Sequence, residues 1–198
     1  MEISAALVKK LRDITGAGFM ECKAALGETN GDVDAAVTLL RKRGLASAAK
    51  KAGRTTNQGA VGSYIHMGGK IGVLVEVNCE SDFVARTDHF GALVKELAMH
   101  IAAADPKYVR REEVPSDVLE KEKDIYRSQF AASGKKPDVI EKIVEGKLDS
   151  YYEQVVLLDQ KFIRDPAVSV SQLIAEATAK VGENITVGRF ARFKVGEL

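Results

Sequence analysis

The chain has 198 residues, of which 45% are hydrophobic and 29% charged, which suffices for one substantial core and a smaller unit. Its 29 Lys and Arg against 28 Asp and Glu leave a formal net charge of +1, so the chain as a whole lacks the positive field of a nucleic-acid binder. No apolar run approaches the ~20 residues of a membrane helix, and Met1 leads into a polar amphipathic segment rather than a signal peptide, so the cytoplasm is the expected location.

Ile3, Leu7, Leu11 and Ile14 recur at helical spacing and predict an amphipathic helix over residues 3–14. Thr15-Gly16-Ala17-Gly18 breaks it. A second short helix carries Phe19, Cys22 and Leu26 inward, Asn30-Gly31 makes a turn, and Asp32 caps a third helix with Val33, Ala36, Val37 and Leu40 inward. Arg41, Lys42 and Arg43 suit the carboxyl end of that helix, and Gly44 is expected to end it. This three-helix unit is assigned residues 1–54. The Ala- and Lys-rich stretch up to Arg54 and Thr55-Thr56-Asn57-Gln58-Gly59 have little to bury and mark the boundary with a second domain, 55–198.

That domain opens with Val61, Ile65 and Met67 on alternate positions, then Gly68-Gly69, then Ile71, Val73, Val75, Val77 and Cys79, the pattern of a β-hairpin. Phe90, Leu93, Val94, Leu97 and Ile101 predict a helix that covers one face of the hairpin and stops near Asp105-Pro106. Two charged helical stretches follow, within about residues 115–156, separated by Ser133-Gly134-Lys135-Lys136, with Pro137 at the first turn of the second. The second has a clear seam in Ile140, Val144, Leu148, Tyr151 and Val155. For the first, Val118 with Ile125 and Leu119 with Tyr126 are rival seams of an antiparallel helical hairpin. Asp165-Pro166 leads to a last helix, Ser169 to Val181, and Gly182-Glu183-Asn184 turns into a final strand with Ile185, Val187, Phe190 and Phe193. The expected fold class is α+β: a three-helix amino-terminal domain, then an antiparallel three-stranded sheet with covering helices and an inserted helical hairpin.

Catalytic chemistry is not in evidence. Gly68-Gly69-Lys70 and Gly134-Lys135-Lys136 lack the spacing of a phosphate-binding loop, and His66, His89 and His100 are too separated to read as a metal set. No GxSxG or HExxH is present, and the carboxylates of the charged arm read as solvated. Neither a catalytic residue nor a cofactor is expected. Cys22 and Cys79 read as buried thiols, an inter-chain disulfide being the less favoured use in reducing cytosol. Arg41, Lys42, Arg43, Lys50, Lys51 and Arg54 form a local basic run that suits either an RNA or acidic protein face, or simply a solvated helix end. Ser81-Asp82-Phe83-Val84, between a strand and a helix, sets an aromatic ring beside a carboxylate at an element boundary. Spacing alone allows Phe83 either as an outward contact or, as Phe90 seven residues on favours, as core.

Thr15-Gly16-Ala17-Gly18-Phe19-Met20-Glu21-Cys22-Lys23-Ala24-Ala25-Leu26, Asn30-Gly31-Asp32, Ala48-Ala49-Lys50-Lys51-Ala52-Gly53, Val77-Asn78-Cys79-Glu80-Ser81-Asp82-Phe83-Val84-Ala85 and Ala179-Lys180-Val181-Gly182-Glu183-Asn184-Ile185 closely resemble bacterial elongation factor Ts, in the same order from end to end. The resemblance implies a guanine-nucleotide exchange factor for the translation GTPase elongation factor Tu, bound in its GDP and nucleotide-free states. It implies that Asp82 and Phe83 reach between two helices of the GTPase domain and disturb its magnesium and phosphate region, which makes Phe83 a contact rather than core. Ser81 stands where the family motif usually has Thr, and Val84 completes the motif. By the same resemblance the amino-terminal domain is ubiquitin-associated-like and docks on the partner, with Lys23, Lys51, Val181 and Gly182 at contact positions. His66 resembles a partner-facing histidine that in longer members belongs to a second core repeat. This chain shows one such repeat, so self-pairing into a two-plus-two assembly with the GTPase is the expected compensation, a two-fold interface being its natural form. A binding module contacting RNA through residues 41–54 is the rival reading.

Overall fold

A computed structural model describes residues 3–197, and these form two compact units. The first gathers the chain up to Ala60 with Asn78–Leu93 and Ile174–Thr186, and the second gathers Val61–Val77, Val94–Leu173 and the chain from Val187 onward.

The first unit begins with α1 (Ala5–Thr15), α2 (Phe19–Glu28) and α3 (Val33–Lys51). Ser4 starts α1 by accepting the Leu7 N–H at 3.3 Å, and Gly16 ends it at φ 68°, a left-handed conformation in which a side chain is strained. Asp32 caps α3 through the Ala35 N–H at 3.0 Å. Val8, Leu11, Cys22, Ala25, Leu26 and Ala36 form the buried centre, with Leu7, Val33, Val37 and Leu40 packed against it. Two expectations fail here. Ile14 and Phe19 are exposed rather than inward, and Val8 takes the core position beside Leu11. Gly44 does not end α3, which runs on through the Ala- and Lys-rich stretch to Lys51. The strong helix propensity of Leu45-Ala46-Ser47-Ala48-Ala49-Lys50-Lys51 carries it past the glycine. Gly44 serves close approach instead, since a Cβ there would lie 3.2 Å from the Ala179 Cβ.

In the sheet, β1 (Gln58–Ile65) and β2 (Ile71–Cys79) form the expected hairpin. Gly68 and Gly69 both take positive φ, 87° and 67°, and the His66 N–H meets the Ile71 carbonyl at 2.9 Å. The strand order is β1-β2-β5, with β5 spanning Ile185–Lys194. The Val195 N–H reaches the Lys70 carbonyl, so the end of β5 lies at the start of β2 and the two run antiparallel. Val73, Val75, Val77 and Cys79 alternate inward along β2. Past the short α4 (Asp82–Ala85) runs α5 (Asp88–Ala104), which covers this inner face. Gly62 permits the contact, because a Cβ there would fall 2.2 Å from Val94 Cγ1. Among the described residues nothing buries the opposite face, where Val61, Ile65, Leu74 and Phe193 are all exposed. Period two gives the alternation but not which side a helix covers, and here the apolar side of β1 is the uncovered one.

The helical hairpin is α6 (Ser116–Phe130) and α7 (Pro137–Val155), with Pro137 in the first turn. The structure selects the Leu119 and Tyr126 seam and leaves Ile125 exposed, while Val144 and Leu148 are buried on α7. Near the tip, Arg127 grips Glu141 through two bonds of 2.8 and 3.1 Å. At the base, Arg111 holds Asp149 at 2.9 Å and Asp159 at 2.8 Å while lying 4.5 Å from the Tyr152 ring centre. Sequence periodicity missed a small antiparallel ladder of β3 (Lys161–Phe162) and β4 (Asp165–Ser169), which absorbs Pro166 before α8 (Val170–Val181). Strands so short carry no pattern to find. The architecture is α+β with an antiparallel three-stranded sheet.

Candidate functional site

Ser81 begins α4, a single turn between β2 and α5. Its hydroxyl donates to Glu183 Oε1 at 2.6 Å and its backbone N–H to Glu183 Oε2 at 2.9 Å. With the hydroxyl proton committed, the same oxygen presents a lone pair to the Val84 N–H at 3.4 Å and caps the turn. The Ser81 carbonyl accepts from the Ala85 N–H at 3.3 Å and from the Cys79 thiol at 3.1 Å. Every polar group of Ser81 is therefore engaged.

This ordering aims two side chains apart. Val84 turns in, 9% exposed, and Phe83 turns out, 80% exposed; it is Phe90, at 1%, that fills the core. Asp82 is partly exposed and pairs with Arg86 one turn on at 2.9 Å. An exposed aromatic ring on a turn anchored through Ser81 is an apolar projection, the form of an interface anchor rather than of a packing residue. The Cys79 thiol behind it is buried, and burial, then the Glu183 carboxylate, push its pKa up, so it rests as an unreactive thiol.

A second carboxylate returns the grip. Glu80 accepts the Asn184 N–H at 2.6 Å, while the Asn184 amide donates to the carbonyls of Ala52 at 3.3 Å and Arg54 at 2.9 Å, just past α3. Residues 80–81 and 183–184 thus exchange carboxylate-to-amide bonds in both directions. Gly182 beside them takes φ 79°, and Val181 is partly buried. The carboxyl end of α8 also fits against the helices of this unit, since a Cβ on Gly16 would lie 3.2 Å from Lys180 Cε.

Of the remaining expected residues, Lys23 is exposed on α2, and Lys51 donates to the Ser47 hydroxyl at 2.7 Å. Ser81, Asp82, Phe83, Val84, Lys23, Lys51, Val181 and Gly182 all fall in the first unit, whereas His66 falls in the second, where Nδ1 lies 3.1 Å from the Tyr64 hydroxyl. Ile14, Phe19 and Met20, which flank the Thr15-Gly16-Ala17-Gly18 break, are all exposed, whereas helical periodicity places Ile14 and Phe19 inward. The signal available was the break itself, because side chains flanking two glycines are displaced from the helical stripe.

Three of the six cations in the basic run, its arginines, sit beside acids. Arg41 pairs with Glu176 at 3.1 Å, Arg43 with Glu28 at 2.7 Å and Arg54 with Glu80 at 3.5 Å. Among the described residues no group of three or more His, Cys, Asp or Glu is arranged to hold a metal ion. No helix among them is long and apolar enough to cross a membrane.

Comparison with known proteins gives this geometry its context. A family described as Elongation factor TS matches residues 34–197. The chain belongs to that family. A relative named Elongation factor Ts from Geobacter sulfurreducens is 60% identical over 197 residues, covering 100% of this chain and 91% of the relative. Those of the same name from Koribacter versatilis and Fervidobacterium nodosum are 62% identical over 198 residues and 60% over 197. Both alignments cover 100% of this chain, with 90% of the first relative and 100% of the second. Membership places the chain among translation elongation factors, and α1 and α2, which lie before the family match, are included in all three full-length alignments.

Proposed function

We propose that this protein is a guanine-nucleotide exchange factor for elongation factor Tu, acting in the cytoplasm and without a catalytic residue or cofactor of its own. The observation that carries the reading is Phe83, four-fifths exposed on a turn whose first residue, Ser81, is held by two hydrogen bonds to Glu183. Such a factor makes and breaks no covalent bond. It binds the nucleotide-free GTPase more tightly than the GDP-bound form, and by linkage GDP weakens its binding by the same ratio. Asp82 and Phe83 enter the GTPase domain as a wedge and disturb the magnesium and phosphate region. Residues 1–54 form the ubiquitin-associated-like docking domain, in which Lys23, Lys51 and the exposed Ile14, Phe19 and Met20 face the partner. Val181 and Gly182 add a contact turn, Ser81 and Val84 support the wedge, and His66 joins the surface on resemblance alone.

Residues 55–198 form the core and dimerisation domain, and a second copy of this chain covers the exposed sheet face. Val61, Ile65, Leu74 and Phe193 are four large apolar side chains left exposed, and Arg189 pairs with Glu76 at 2.9 Å on the same face. A two-fold axis through such a face sets apolar against apolar and each acid near the partner's base. A monomer mass by light scattering at micromolar concentration refutes this part.

The function is tested by loading elongation factor Tu with a fluorescent GDP analogue and adding catalytic amounts of the protein with excess unlabelled GDP. Accelerated release supports exchange. No acceleration by folded protein returns the basic run to consideration as an RNA site, for which a steep fall of binding with salt is the signature.

A further inference from the structure

The structure assigns Glu183 and Glu80 a positioning role: a reciprocal pair of carboxylate-to-backbone grips that sets the Asp82–Phe83 turn before the partner arrives. This inference rests on the reading of Phe83 as the wedge.

The argument starts from what a one-turn helix lacks. With four residues, Asp82–Ala85 makes too few internal bonds to hold itself, since a helical nucleus is unfavourable until further turns repay it. Its order comes from outside. Glu183 takes both protons of Ser81, at 2.6 and 2.9 Å, and so decides where the hydroxyl lone pair points, which in turn caps Val84. Glu80 does the converse for Asn184 at 2.6 Å, and Asn184 holds the carbonyls of Ala52 and Arg54 at the end of α3. The wedge turn, the Val181-Gly182 turn and the end of α3 are thereby fixed as one body. Bonds from neutral donors to a carboxylate are among the stronger hydrogen bonds, and two from one residue fix direction as well as distance.

A turn released from this grip samples orientations in which Phe83 is misdirected. Apparent affinity then falls in proportion to the competent fraction, while the seated complex, in which the partner itself orders the turn, is little altered. Loss of Glu183 should therefore raise the concentration of GTPase at half-saturation and leave the maximal release rate nearly unchanged.

The test is steady-state release of the fluorescent GDP analogue over a range of elongation factor Tu concentrations, with E183A, E183Q, S81A, S81A/E183A and F83A compared with wild type. A half-saturating concentration about ten-fold higher in E183A is expected from the loss of charged hydrogen bonds. E183Q, which keeps one acceptor oxygen, falls between E183A and wild type. The double variant is no worse than E183A, because Ser81 and Glu183 act as one unit. Amide hydrogen exchange at Ser81 and Val84, read on the full chain, quickens in E183A while the α1–α3 amides keep their protection. Unchanged half-saturation in E183A, or a lowered maximal rate at unchanged half-saturation, overturns the assignment, the second being the mark of a smaller folded fraction. Effects of S81A and E183A that simply multiply overturn it as well. Normal exchange by F83A overturns the wedge reading and this inference together, whereas impaired F83A beside normal E183A overturns this inference alone.

Discussion

Replacing Phe83 by Ala separates the stability of the fold from the strength of the contact. A Phe side chain carries ~150–250 Å² of surface, and here four-fifths of the residue faces solvent. The covered fifth, about 40 Å² at ~25 cal/mol per Å², contributes about 1 kcal/mol to folding. The exposed remainder, about 160 Å², is worth ~4 kcal/mol if a partner covers it completely, and hot-spot anchors of this kind cost ~2–4 kcal/mol on truncation. The variant should thus melt within about 4 °C of wild type and bind the nucleotide-free GTPase roughly 30- to 700-fold more weakly. The assays are a thermal melt by circular dichroism and release of the fluorescent GDP analogue. Exchange at the wild-type rate refutes the wedge; a melting point lower by ten degrees refutes the exposure argument, because it means that the ring holds the fold.

Three further outcomes follow from other parts of the molecule. His100 is fully buried, its Nε2 donates to Gln160 Oε1 at 2.9 Å and its Nδ1 accepts the Ile163 N–H at 3.3 Å, so the neutral ring is the one accommodated. Burial lowers its pKa below the ordinary 6.5, opposed in part by the Gln160 bond. The stabilisation is full above that ordinary value and is lost as pH falls toward the folded pKa, so the urea midpoint should drop between pH 7 and 5 and the slope should flatten in H100Q. Gly62→Ala sets a Cβ 2.2 Å from Val94 Cγ1 and should destabilise by ~1–3 kcal/mol in a denaturant melt; an unchanged midpoint refutes the tight seating of α5 on the sheet. Cys22 and Cys79 are buried, so neither should react with a thiol reagent in native protein and both should react in denaturant; rapid native labelling at Cys79 would show that the Ser81 turn opens readily.

Helical periodicity located α5 and the seam of α7 because both bury one continuous stripe, and the glycine pair placed the hairpin because only positive φ closes it. Where signals were local and ambiguous, packing decided. Gly44 has the residue type of a helix end, but the alanines after it and the approach of Ala179 make it an interior contact. Val61 and Ile65 have the pattern of a buried strand face, and nothing in one strand tells which face a helix will cover. Phe83 and Phe90 were equivalent by spacing, and the break between α4 and α5 gave them different fates. The grip of Glu183 on Ser81 joins residues 102 positions apart and leaves no local trace in the sequence.

The unbroken course of α3 turns helical phase into a constraint. Its 19 residues span about 28 Å, with the three-helix centre packed on its first half and Asn184 bonded just beyond its last turn. One residue inserted near Gly44 would lengthen that span by only ~1.5 Å but rotate one end against the other by about 100°. Seven would come back almost into register, within about 20°. Length changes in this helix are therefore tolerated by rotation rather than by size, and its residue count acts as an angular setting for everything attached to its two ends.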